Sequence, residues 1–281
     1  MPKKSGFYYD ISNADYHAGD ELSSTGLKTF IQSPKLYEHE YLLGHKKKTN
    51  AALEFGSALH SYILERTKFT DTYVIESELP VINKRTKQGK LELELLQKEL
   101  NGKIILSDDD YHKIIEINLN LEEEGKFPGF LERSKKEVSA YWLESVDGES
   151  IPCRARYDMV TDDGIILDIK STQDPSFDEF SKSILNYSYY ISAAFYGRSY
   201  ESITGNKIKG FIFVACGTKP PYEVYLYQLD EYCIDLGNRI IDKFLPSYVL
   251  ANRTKVYEKK KYPTMISIPE WSVKKIEQDL L

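Results

Sequence analysis

Two aspartates and a lysine carry the most definite chemistry in this sequence: Asp158, and Asp168 two residues ahead of Lys170 in the string Ile165-Ile166-Leu167-Asp168-Ile169-Lys170. Side chains two apart share one face of a strand, so Asp168 and Lys170 project together. A carboxylate in so apolar a strand costs several kcal/mol if buried without a partner. A hard cation answers that demand, and Mg²⁺ accepts a few carboxylates, backbone carbonyls and retained waters. Such an ion acidifies a bound water and polarises a phosphate ester, while Lys170 would orient the water or stabilise the developing negative charge. Spacing alone leaves a second reading open, in which Asp168 and Lys170 form an ion pair at a strand end and Asp158 is an ordinary residue near a turn.

The elements that must position these residues are legible in the surrounding pattern. Ser33-Pro34 has the form of an N-cap followed by proline at the first helical position, with Leu36, Tyr37, Tyr41 and Leu42 on one apolar face. A second helix is expected over Leu53 to Glu65, with Phe55, Leu59, Tyr62 and Ile63 inward. Lys87 to Leu100 reads as a charged amphipathic helix, and Ser107 caps another that begins Asp108-Asp109-Asp110, carboxylates suited to a positive helix end rather than to a metal. After about Lys135 alternation replaces helical spacing. Val138 to Glu144 and Ile151 to Met159 are strands around an Asp147-Gly148 turn, and Asp163-Gly164 leads to the apolar strand from Ile165. Helices from about Phe177 and Tyr187, strands Lys209 to Cys216 and Glu223 to Leu229, and a helix from Glu231 to about Tyr248 complete the order. The expectation is one α/β domain over 1–281: a mainly helical elaboration over 1–135, a catalytic sheet with helices over 136–250, and a C-terminal extension over 251–281.

Composition narrows the partners. With 41% hydrophobic residues the 281-residue chain can bury a sizeable core. No apolar run approaches a membrane span and the N-terminus lacks a signal-peptide core, so no membrane and a cytoplasmic address are expected. Three widely spaced cysteines, Cys153, Cys216 and Cys233, make no disulfide framework or zinc pattern and read as reduced and buried. A formal net charge of −6 opposes a polyanionic partner, yet carboxylates gathered at a metal site can coexist with a segregated basic surface. Basic clusters occur at His45 to Lys48, Lys84 to Lys87 with Lys90, Lys135-Lys136 and Lys259 to Lys261, each of which is individually most simply a solvated loop.

An Asp on one strand, a tight turn, an apolar strand carrying Asp-Ile-Lys and then helices reproduce the layout of PD-(D/E)xK proteins, with Tyr157 standing where proline is usual before Asp158. The resemblance extends further. Tyr8 to His17, Phe55-Gly56-Ser57-Ala58-Leu59-His60, Cys153 to Asp158 and Leu167 to Thr172 are similar to segments of the RecE-type exonucleases, also called exonuclease VIII. That resemblance implies a restriction-endonuclease-like α/β core with a mixed central sheet flanked by helices. It implies a Mg²⁺-dependent exonuclease, with Mn²⁺ as a substitute, that digests linear double-stranded DNA 5′ to 3′ and leaves 3′ single-stranded tails. A ring-shaped homo-oligomer, a single-strand annealing partner and recombination of phage or prophage DNA in a bacterial cell belong to the same implication.

Carried onto this chain, the resemblance makes His60, Asp158, Asp168 and the carbonyl of Ile169 metal ligands and Lys170 catalytic, with Glu137, just before the first strand, as a further acidic candidate. On its own residues, His60 is a lone helical histidine beside the small Gly56 and Ser57, which permit close approach, and reads as an ordinary packed or surface residue. The family usually shows Gln-x-x-x-Tyr on a later helix; here Tyr196 is present but Ser192 replaces the glutamine. Tyr196 can equally be a packing residue. Arg154, Arg156 and Arg198 are candidates for phosphate contacts, although Arg154 and Arg156 share a strand face and could pair with acids. Two other readings stand beside the exonuclease: an endonuclease or CRISPR-adaptation-type nuclease of the same fold, disfavoured because three cysteines cannot supply a four-cysteine iron–sulfur site, and a non-enzymatic DNA-binding or assembly protein.

Overall fold

The computed structural model describes residues 3–45, 50–82, 85–258 and 278. The basic residues Lys46 to Lys48, Lys84 and Lys259 to Lys261, with most of the 251–281 extension, lie outside them. The chain opens with β1 (Gly6–Tyr8), α1 (Asn13–Ala18), α2 (Ser24–Gln32) and α3 (Pro34–Tyr37), the last continuing into a π-helical turn at Glu38–Leu42. The Ser33 side chain caps α3 by accepting from the Leu36 amide. The expected apolar face is only partly buried: Tyr37 is core, whereas Leu42 is exposed.

Next come α4 (Ala51–Leu64), α5 (Arg66–Thr72), β2 (Tyr73–Ile75), α6 (Lys87–Glu99), β3 (Ile104–Leu106), α7 (Asp108–Glu123) and α8 (Phe127–Arg133). Phe55, Leu59, Tyr62 and Ile63 are all buried on α4. The acidic triplet opens α7 under the Ser107 cap, and Lys113 pairs with Asp109 at 2.6 Å and Asp110 at 3.0 Å. It is a helix start.

The second half holds β4 (Ser134–Val146), β5 (Glu149–Thr161), β6 (Ile165–Thr172), α9 (Phe177–Asn186), α10 (Tyr189–Thr204), β7 (Gly210–Gly217), β8 (Val224–Gln228) and α11 (Glu231–Thr254). Asp147 and Gly148 both take positive φ, 50° and 80°, the two-residue turn whose twist matches a right-handed hairpin. Strand order in the main sheet is β1-β4-β5-β6-β7-β8, with β6 and β7 parallel and its other pairs antiparallel, while β2 and β3 form a separate parallel pair. The parallel step is made by the α9–α10 crossover, as parallel pairs require.

The sheet separates two hydrophobic cores. On one side Val138, Ala140, Trp142, Tyr157, Ile166, Phe211 and Phe213 meet α2, α10 and α11; on the other Met159, Leu167, Ile169, Ile212 and Val214 meet α4 and α7. Of the N-terminal helices, α4 and α7 therefore build the layer on one side, while α2 joins α10 and α11 on the other. Three strands, β1 to β3, fall within the stretch expected to be helical and irregular; at three residues each they are too short to show alternation. Cys153 and Cys216 are buried and free, while Cys233 on α11 is only half-buried.

One irregularity decides where the site lies. The β4–β5 register runs unbroken from Lys136↔Met159 to Val138↔Tyr157, which sets Glu137 opposite Asp158, yet those two residues do not pair. Glu137 has φ 50°. A left-handed non-glycine residue costs about 1–2 kcal/mol, and here it shifts the alternation: Tyr157 packs into the first core and Met159, two residues on, into the second. Glu137 thus stands inside β4 and not before the first strand.

Candidate active site

β5 and β6 pair only at Met159↔Leu167 and Val160↔Ile166, after which the strands part. In the fork the Asp158 side chain replaces the missing ladder, accepting from the Ile169 amide at 2.6 Å. Asp158 is 8% exposed and Asp168 5%. Lys170 forms an ion pair with Asp168, as their shared strand face predicts, and donates to the Ile169 carbonyl at 3.3 Å.

His60 reaches the same point from α4. Its Nε2 lies 2.9 Å from the Ile169 carbonyl oxygen, and its Nδ1 lies 3.6 Å from Asp158 Oδ2. A carbonyl only accepts, so in the neutral ring Nε2 carries the proton and the Nδ1 lone pair faces a carboxylate. Two acceptors opposed across that gap are what a cation between them would relieve. Ligand atoms of His60, Glu137 and Asp158 all lie within 4.8 Å of one another, a cluster able to hold a metal ion. One imidazole nitrogen with carboxylate oxygens suits a divalent metal ion. Gly56 does not supply a special gap for α4: a Cβ there would sit 3.5 Å from Ser171 Oγ, an ordinary contact, and Ser57 is exposed.

Electrostatics agree with an acidic cluster short of positive charge. Burial, and then the Asp158 carboxylate, push Glu137 up to about 8. Burial and the Asp168 charge also raise Asp158, against the pull of His60, Lys170 and the Ile169 amide. For Lys170, burial works against the charged form, but Asp168 and Asp158 outweigh it and the ammonium is held above its ordinary range.

Tyr196 on α10 borders the site. Burial raises its hydroxyl well above the usual range, and the Asp168 charge adds to this. Its ring lies 5.6 Å from that of Tyr157, whose hydroxyl bonds Ser199 at 2.5 Å, so the tyrosine in the proline position ties β5 to α10. Ser192 is half-buried one turn before Tyr196.

The arginines are placed differently. Arg156 lies 3.9 Å from Glu137 and donates to Ser139 Oγ and the Ile11 carbonyl. Arg154 is buried beside Glu21 at 3.6 Å, and both guanidinium groups sit over the Tyr16 ring, at 5.0 and 4.3 Å. Both arginines are covered by α1. Arg198 is not brought to the site: it binds Asn238 and Asp242 of α11 and lies 3.6 Å from Glu144, seven residues and roughly 23 Å along β4 from Glu137 at the usual strand rise.

Lys28, Tyr187 and Tyr189 were not singled out by sequence. Lys28 on α2 is lowered to about 8 by burial and then by the Lys170 charge. Lys170 stands 5.5 Å and Lys28 5.8 Å from the centroid of the Tyr189 ring. Nothing in the local pattern around Lys28 distinguishes it, because its neighbours come from elements far away in the chain.

Among protein-family models, that of a PDDEXK-like domain of unknown function (DUF3799) matches residues 23–262. A comparison with curated proteins gives no match. Among solved structures, a provisionally named exonuclease from Eubacterium rectale is similar at 16% identity and TM-score 0.61, over 91% of this chain and 96% of that one, a likeness of fold. The structure of SSO0001 is 16% identical over 68% of this chain and 86% of the other, and its TM-score of 0.29 carries no argument. No helix among the described residues is long and apolar enough to cross a membrane.

Proposed function

This chain belongs to the family of PDDEXK-like domains whose model spans residues 23–262, and from that premise we propose that it is a Mg²⁺-dependent DNA exonuclease. The observation that carries the reading is the fork between β5 and β6, where His60, Glu137 and Asp158 converge beside the Asp168–Lys170 pair. His60, Glu137, Asp158, Asp168 and the Ile169 carbonyl would hold the ion. When bound, Mg²⁺ supplies an acidified water and a Lewis acid for a phosphate oxygen.

The chain's own residues do the rest. Asp158 is anchored through Oδ2 on the Ile169 amide, and that same oxygen faces His60 across the gap the ion would fill. Asp168 holds the Lys170 ammonium in the fork, where its remaining N–H donors stabilise charge developing on the phosphate. Tyr196 closes the side nearest α10 and limits water. Ser192 is too short for the contact a glutamine would make, so the DNA end is handled by other side chains.

The finer reading is a RecE-type enzyme that digests one strand of linear duplex 5′ to 3′, as a ring-shaped homo-oligomer working with a single-strand annealing protein in phage or prophage recombination in the host cytoplasm. It is supported by the similarity of the Tyr8 to His17, Phe55 to His60, Cys153 to Asp158 and Leu167 to Thr172 segments. The test compares end-labelled linear, 5′-phosphorylated linear and closed circular duplexes, with Mg²⁺ or chelator. Loss of label from linear DNA, intact circles and no reaction with chelator are expected. Cut circles would make it an endonuclease, and unchanged DNA throughout would leave a binding protein.

A further inference from the structure

The loop joining α9 to α10 carries an exposed aromatic stack beside the fork. Tyr187 is 63% exposed, and its ring is stacked on Tyr189 with centroids 5.5 Å apart and planes 26° from parallel. Tyr189 rests in turn on the buried Phe213, centroid to centroid 5.5 Å. Ser188 between them is left-handed, with φ 51°, and that conformation allows consecutive aromatic side chains to fold onto one side. Two cations flank the stack. Lys170 lies 5.5 Å from the Tyr189 ring centroid, and Lys28 lies 5.8 Å from it while donating to the Tyr187 carbonyl at 3.1 Å.

A water-exposed tyrosine face, backed by a ring rooted in the core and edged by two ammonium groups, complements a nucleotide: a flat base on one side and a phosphate on the other. The distances put that face no more than two ring contacts from the lysine of the fork. We propose that Tyr187, supported by Tyr189, is the stacking platform for the base of the nucleotide next to the phosphate at the fork, and that Lys28 faces the neighbouring backbone phosphate. The occupant is an unpaired nucleotide at a DNA end, since a base within a duplex has no free face for the ring. This deepens the nuclease reading and rests on it, but the platform can be measured without cleavage.

The experiment uses the full chain in chelator and a single-stranded oligonucleotide with 2-aminopurine at its 5′ end. Stacking on tyrosine quenches the probe. Quenching by the wild type and by Tyr187→Phe is expected, with Tyr187→Ala losing the quench and binding roughly five- to a hundredfold more weakly, the usual range for one base–aromatic stack. Tyr187 is mostly exposed, so the alanine variant should fold, and a melting curve checks this. Lys28→Gln should reduce the slope of log affinity against log salt by about 0.7, one single-strand phosphate contact. Equal quenching by Tyr187→Ala, or none by the wild type, overturns the platform, and an unchanged slope removes Lys28 from it. The same proteins are then given linear duplex and Mg²⁺. Tyr187-dependent quenching without cleavage would sink the nuclease reading and leave the platform standing, whereas cleavage without such quenching does the reverse.

Discussion

Replacing Glu137 with glutamine should flatten the pH dependence of stability in the metal-free protein. Burial and the facing Asp158 carboxylate raise Glu137 from the ordinary 4.5 to about 8. The folded chain therefore holds this proton more tightly than the unfolded one, so the contribution is fully present below pH 4.5 and is lost as pH rises through about 8. Taken whole, a rise of that size corresponds to about 5 kcal/mol. The side chain is one-fifth exposed and water can relax around it, which brings the expected loss between pH 5 and 8 to about 2 kcal/mol. Urea unfolding of chelated wild type and Glu137→Gln at pH 5, 6.5 and 8 reads the difference; groups remote from Glu137 cancel in the comparison, while the facing Asp158 contributes to it together with Glu137. Saturating Mg²⁺ at pH 8 should restore the wild type, because the ion takes the place of the proton. Parallel stability profiles for the two proteins would refute the placement of Glu137 among buried, mutually repelling carboxylates.

Asp168→Ala should abolish cleavage and cost about 2 kcal/mol, because Lys170 keeps its charge without its nearest partner. Adding Lys170→Met should recover most of that stability and none of the activity; a double variant no more stable than the single one would discount the ion pair. His60→Ala should weaken Mg²⁺ binding by at least about tenfold in calorimetry, the lower range for groups that orient or supply ligands, and unchanged affinity would remove His60 from the metal. Gly237→Ala should cost about 1–3 kcal/mol in a melting experiment, since its Cβ would lie 2.4 Å from the Tyr190 carbonyl oxygen where α10 and α11 cross. A neutral result would mean that the two helices can separate without loss.

Local signals foretold the elements well. The Ser33 and Ser107 caps, the Asp147-Gly148 turn and the apolar strand holding Asp168 depend on neighbours within a few residues, and each stands where the pattern puts it. Asp168 and Lys170 were readable as a same-face pair for the same reason. What touches them has no local signal, because those contacts cross the sheet. His60 arrives from a helix about a hundred residues earlier in the chain, and composition gave no reason to prefer it to any other histidine without the family resemblance. Arg154 and Arg156 do share a face, but the short α1, which has little periodicity to read, covers that face. The left-handed state of Glu137 has no sequence signature of its own, since glutamate is an unexceptional strand residue until the register is known.

The change of alternation at Glu137 bears on cooperativity. A regular strand would present its acids to one helical layer only. Here the fork receives His60 from the layer containing α4 and is bordered by Tyr196 from the layer containing α10, while its carboxylates stand on β4, β5 and β6. A partly folded chain with the α4 layer undocked would keep its three carboxylates, which all stand on strands, but would lack the imidazole and bind the ion less tightly. Ion binding would therefore favour the state in which the α4 layer is docked on the sheet, and by mass action it would make that layer's separate opening rarer. The site that would cut the substrate would then also act as a clasp, and magnesium would tie the α4 layer to the sheet as one unfolding unit.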